Sequence, residues 1–80
     1  MDRQALARDL MDRWGSPVVA RRQVYEFSGG LVKPGTLANA DSKGEGPSER
    51  LKMGRTIGYP VCALALWIAQ RVELQNDRAA

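Results

Sequence analysis

The sequence predicts a small, mainly α-helical domain that carries one β-hairpin. Three observations lead there. Apolar residues recur at helical spacing in several stretches separated by glycine and proline. Two short alternating runs, Arg50-Leu51-Lys52-Met53 and Ile57-Gly58-Tyr59, lie close enough together to fold back on one another. The most apolar stretch follows the second run and opens with Pro60.

The first helix is expected over residues 3–13, where Leu6, Leu10, Met11 and Trp14 share a side. Arg8 with Asp12, and Asp9 with Arg13, are spaced for i,i+4 ion pairs. Gly15 suits a helix end, and Ser16-Pro17 breaks the chain there. This helix serves either as a buttress on the core or as a dimerisation arm. A second helix is expected from about Ala20 to Phe27, with Ala20, Val24 and Phe27 inward and Ser28-Gly29-Gly30 as its end. Leu31 and Val32 are then expected to return to the core. Pro34 suits the first turn of a third helix, Pro34 to about Ser42, with Leu37 and Ala38 inward and Thr36, Asn39, Ala40 and Lys43 outward.

Residues 43–50 read as a loop. Placing Leu51, Met53, Ile57 and Tyr59 on one face requires Met53 opposite Ile57 and Leu51 opposite Tyr59, with Gly54-Arg55-Thr56 as a three-residue loop. Arg50 and Lys52 then occupy the other face, and Arg55 the tip. The last helix is expected over about Val61 to Glu73, with a stripe of Val61, Leu64, Ile68 and Val72. Three segments result: an accessory helix at 1–15, a main domain at 17–73 and a flexible tail at 74–80.

Eighty residues allow one small core and exclude an elaborate cleft. Histidine is absent and Cys62 is the single cysteine, so neither a Cys/His zinc site nor a Cys/His catalytic pair can be assembled. No enzymatic activity and no cofactor are expected. The lone thiol fits a reducing cytoplasm, and Cys62 itself reads as a small buried or boundary residue. The longest uncharged stretch, residues 56–70, contains Pro60 and is too short for a membrane span. The net charge is +3, and all of the excess falls in residues 16–59, with seven cations against four carboxylates. A basic middle between neutral ends suggests a surface that faces a polyanion.

Helix, tight turn, helix, loop, basic hairpin, helix is the element order of a winged helix-turn-helix. The wording strengthens this: Val19-Ala20-Arg21-Arg22-Gln23-Val24, Ser28-Gly29-Gly30-Leu31-Val32, Pro34-Gly35-Thr36-Leu37-Ala38-Asn39, Gly44-Glu45-Gly46-Pro47, Met53-Gly54-Arg55, Tyr59-Pro60 and Leu64-Ala65-Leu66-Trp67. Together these resemble the excisionase-type, MerR-like winged-helix DNA-binding domains of bacteria and phages. The chain departs from that pattern in its extra first helix, in Gly35, where a longer polar or basic residue is common, and in Cys62, where an acid is common.

The resemblance implies that residues 34–42 enter the major groove of double-stranded DNA and that the hairpin lies along the backbone or minor groove. Asn39 would then face an adenine edge, and Thr36 a phosphate or thymine methyl. Lys33 and Lys43 would hold phosphates on either side, Arg50, Lys52 and Arg55 would form the basic wing, and Arg21 and Arg22 would meet phosphate at the start of the motif. The expected role is transcriptional regulation or excisionase-like architecture, acting alone, as a dimer or as an array on DNA. A protein-interaction adaptor on the same scaffold is the alternative.

Overall fold

The computed structural model describes residues 1–75. Among these residues, four helices pack with a three-stranded antiparallel sheet. Helix α1 spans Arg3–Trp14, one residue longer than expected. The Asp2 carboxylate accepts the Ala5 amide at 2.7 Å and caps its start. Gly15, at a φ of +79°, ends it in the left-handed region where a Cβ would be strained. The i,i+4 pairs expected on its surface are not closed; among the described residues the ion pairs join Arg21 and Arg50 to Asp41, and Arg71 to Glu45. Exposed pairs of that kind gain only about 0.2–0.5 kcal/mol, which does not hold two long side chains in place.

After Pro17 the chain departs from the expected helix. Val18–Ala20 form strand β1, and Arg21–Gln23 a single 3-10 turn. Helix α2 is only Val24–Phe27. Two β-branched residues in sequence favour extended backbone, and β1 finds a partner in strand β3, Thr56–Pro60. Val19 sits opposite Tyr59 and is fully buried. The sheet therefore has three strands, where a two-stranded hairpin was expected. Its order is β1-β3-β2, with β2 at Leu51–Met53.

The hairpin register also differs. Lys52 faces Ile57, Leu51 faces Gly58 and Met53 faces Thr56, leaving the two-residue turn Gly54-Arg55. Gly54 takes a φ of +63° while Arg55 stays at negative φ, the pattern of a type II′ turn. Partners in antiparallel strands share a face. Arg50 and Lys52 thus lie on the side of Ile57 and Tyr59, whereas Leu51 and Met53 point out, Met53 to 85% exposure. Strand β2 is an edge that reaches past the core, so burial does not dictate its register.

Helix α3 runs Pro34–Ser42 as expected. Leu37 is buried, and so is Ala40, which was expected outside; i and i+3 share a face. Leu31 is 67% exposed and not in the core, because Gly29 and Gly30 reverse the chain at φ of +67° and +89° and leave only Val32 packed against it. Helix α4, Val61–Arg71, supplies Leu64, Ala65, Trp67 and Ile68 to the core, joined by Val19, Val24, Phe27, Leu37 and Tyr59. Cys62 is exposed on α4, contrary to expectation.

Helix α1 packs along α4 and adds Ala7, with Leu6, Leu10, Met11 and Trp14 at the margin of the same core. The Arg3 guanidinium donates to the Ala69 and Val72 carbonyls, covering the end of α4. Trp14 donates its indole N–H to the Val18 carbonyl at 3.0 Å and meets Phe27 edge-on. Of the expected tail, residues 76–80 lie outside the described residues. No helix among the described residues is long and apolar enough to cross a membrane.

Candidate nucleic-acid interface

The fold sorts the expected site residues into two groups on either side of α3. The first group gathers at a cleft of about 280 Å³ lined by Arg21, Arg22, Pro34, Arg55, Thr56 and Ile57. Its walls are local consequences of sequence. The 3-10 turn after β1 carries Arg21 and Arg22, Pro34 opens α3, and the two-residue turn puts Arg55 at the tip of the hairpin. Lys52 pairs with Ile57 and so belongs to the cleft side of the sheet. Lys33 immediately precedes the Pro34 wall and is exposed.

No carboxylate lines this cleft. Arg22 and Arg55 take part in none of the ion pairs among the described residues, and neither do Lys33, Lys43 and Lys52. Arg21 is different. Its Nη2 donates to Asp41 Oδ2 at 2.6 Å, and its Nε donates to the Tyr59 hydroxyl at 3.0 Å. The Tyr59 hydroxyl donates to the same Asp41 oxygen at 2.6 Å. Burial lowers the Arg21 pKa, but the bonds to Tyr59 and Asp41 outweigh it and hold the guanidinium above its ordinary value. Burial, and then the bond to Asp41, push the Tyr59 phenol up, against the opposing pull of Arg21. Arg50 stands 3.7 Å from Asp41 and is half exposed. Arg21 is thus committed to an internal bond, and Arg50 is shared between that carboxylate and solvent.

The second group lies on the far side of α3. Thr36, Asn39 and Lys43 line a depression of about 400 Å³ with Ala40, Glu45, Trp67 and Arg71. Arg71 lies over the Trp67 ring, 4.8 Å from its centroid. The Trp67 indole donates to the Glu45 carbonyl at 2.8 Å, which ties the loop after α3 to α4. Between the two groups, α3 turns Gly35 and Ser42 to solvent, with Asn39 of the second group beside them, all of them small or short.

Arg71 and Asp41 escaped the sequence reading. Arg71 lies in the charge-neutral end of the chain, and its signal is the i,i+4 spacing from Trp67 on one helix. Asp41 carried no signal beyond its place at the end of α3, because its partners come from residues 21, 50 and 59. No protein-family model matches the chain, no characterised protein matches its sequence, and no solved structure matches its fold.

Proposed function

We propose that the protein binds double-stranded DNA as a winged helix-turn-helix, with α2 and α3 as the helical pair and the β2–β3 hairpin as the wing. The observation that carries the reading is the cleft in which Arg22 and Arg55, from elements 33 residues apart in sequence, stand together without a carboxylate. Two guanidiniums converging beside the start of α3, flanked by Lys33 and Lys52, suit a phosphate backbone. The small outer face of Gly35, Asn39 and Ser42 lets α3 approach the floor of a major groove, where the Asn39 amide matches an adenine edge. Thr36, Lys43 and Arg71 serve the phosphates of the opposite strand. Cations on both sides of one helix are what a helix lying in a groove requires.

The test is a titration of a labelled random-sequence duplex with the protein at several sodium chloride concentrations. With 3–5 phosphates neutralised, the log–log slope is expected at roughly −3 to −5. An affinity that is weak at low salt and insensitive to salt would favour the adaptor reading. For that alternative the structure offers an apolar groove of about 760 Å³, where Met1, Leu6, Leu31 and Leu74 are among the lining residues; it adjoins the second group and shares Thr36, Trp67 and Arg71 with it.

A further inference from the structure

Asp41 closes the exposed helix α3, yet its side chain turns inward and is only 7% exposed. Its Oδ2 takes bonds from Arg21 in the 3-10 turn and from Tyr59 in β3, and faces Arg50 at the entry to β2. Arg21 in turn bonds to Tyr59, which closes a triangle of hydrogen bonds. One carboxylate therefore connects the helix, the turn that carries Arg22, and both strands of the hairpin that carries Arg55. Its second oxygen occupies space that a side chain at residue 46 would need: a Cβ added to Gly46 would stand 1.9 Å from Asp41 Oδ1, and Gly46 has ordinary negative φ. The glycine is there for room and not for backbone freedom.

We propose that Asp41 is a positioning residue, which fixes the hairpin against α3 so that Arg22 and Arg55 meet one phosphate backbone together. The inference rests on the DNA-binding reading, and it makes a prediction of opposite sign to that of charge alone. Asp41 places a negative charge inside a basic surface and offsets Arg21 and Arg50. If attraction by charge were all that mattered, Asp41→Asn, which raises the net charge above +3, would bind DNA more tightly. A positioning role makes the same variant bind more weakly, because a swinging hairpin loses a contact. Each phosphate contact contributes a salt slope of about 0.9, so losing one costs roughly eightfold at 0.1 M salt and makes the slope shallower by about that amount.

The experiment compares the full chain with Asp41→Asn and Gly46→Ala. The second variant displaces the carboxylate and leaves every charge in place. Spin labels at Ser42→Cys and Met53→Cys, in a Cys62→Ser background, report the spacing of α3 and hairpin without DNA. The expected result is a broadened distance distribution and about eightfold weaker duplex binding in both variants, at a temperature where both remain folded. Tighter binding by Asp41→Asn with an unchanged distribution would overturn the proposal, and so would a lower melting temperature with unchanged affinity and distribution. Should Asp41→Asn fail to fold, Gly46→Ala and Tyr59→Phe give the same two readouts. If the parent chain shows no salt-dependent duplex binding, the DNA reading fails, while the label distances still decide whether Asp41 sets the geometry.

Discussion

Replacing Arg22 and Arg55 together by alanine is the most direct challenge to the cleft. Both side chains line it, both lie outside the ion pairs among the described residues, and neither belongs to the core. Their loss is therefore expected to leave the unfolding free energy within about 0.5 kcal/mol of the parent, the usual range for surface changes. If each guanidinium neutralises one phosphate, the salt slope becomes shallower by about 1.8, and affinity at 0.1 M falls roughly 60-fold. The control is Arg8→Ala with Arg13→Ala. It removes the same charge from the exposed face of α1, and neither residue lines the cleft. At 0.1 M salt, charges separated by more than about 10 Å are largely screened, so the control is expected to change affinity by less than about threefold. Fluorescence anisotropy on one labelled random duplex measures the parent and both double mutants. Equal losses in the two double mutants would mean that overall charge and not the cleft draws the duplex. No loss in either would remove Arg22 and Arg55 from binding.

Trp14→Ala removes an indole that bonds to Val18 and stacks edge-on against Phe27, and is expected to cost about 3–5 kcal/mol in urea unfolding. Trp14→Phe, which loses chiefly the hydrogen bond, is expected to cost about 1 kcal/mol. A change from dimer to monomer in light scattering without loss of stability would instead make α1 a dimerisation arm. Gly54→Val forces a β-branched side chain to a φ of +63° and is expected to loosen the hairpin and weaken duplex binding, with little effect on the α1–α4 packing, as read by amide exchange. The Tyr59 phenol is raised above its ordinary value of 10.0, so the folded chain holds that proton more tightly than the unfolded one. That contribution to stability is complete below about pH 10 and is lost as pH climbs through the raised value. The melting temperature is thus expected to drop at alkaline pH more steeply for the parent than for Tyr59→Phe. Equal pH profiles would show that Asp41 and burial do not hold the proton. Between about pH 5.5 and 8, duplex affinity is expected to stay flat, since the chain has no histidine.

Helices α1, α3 and α4 were legible because their signals are local. Pro34 and the Leu37 spacing define α3, Gly15 ends α1, and the Leu64–Ile68 stripe marks α4, each within a few residues of sequence. The basic character of the middle of the chain could be read from residue types alone. Strand β1 could not. Val18-Val19-Ala20 becomes a strand because residues 58–60, some forty positions later, return alongside it. Its extended backbone is stabilised by those hydrogen bonds and by Val19 packing in the core. The hairpin register was misread for a related reason. Hydrophobic alternation selects a register only where one face is buried, and β2 lies at an edge, so the turn at Gly54 decided it.

The division of labour among the cations was likewise a tertiary outcome. In sequence, Arg21 and Arg22 are equivalent neighbours. In the fold, one is bonded to Asp41 and Tyr59 and the other lines the cleft. Successive residues point in different directions, and only the approach of α3 and β3 decides which of them meets a carboxylate. The sequence by itself thus determined that the chain is helical, small and basic at its centre. The third strand, the facing of Lys52 and the burial of Asp41 depend on contacts between residues far apart along the chain, and local composition does not encode those distances.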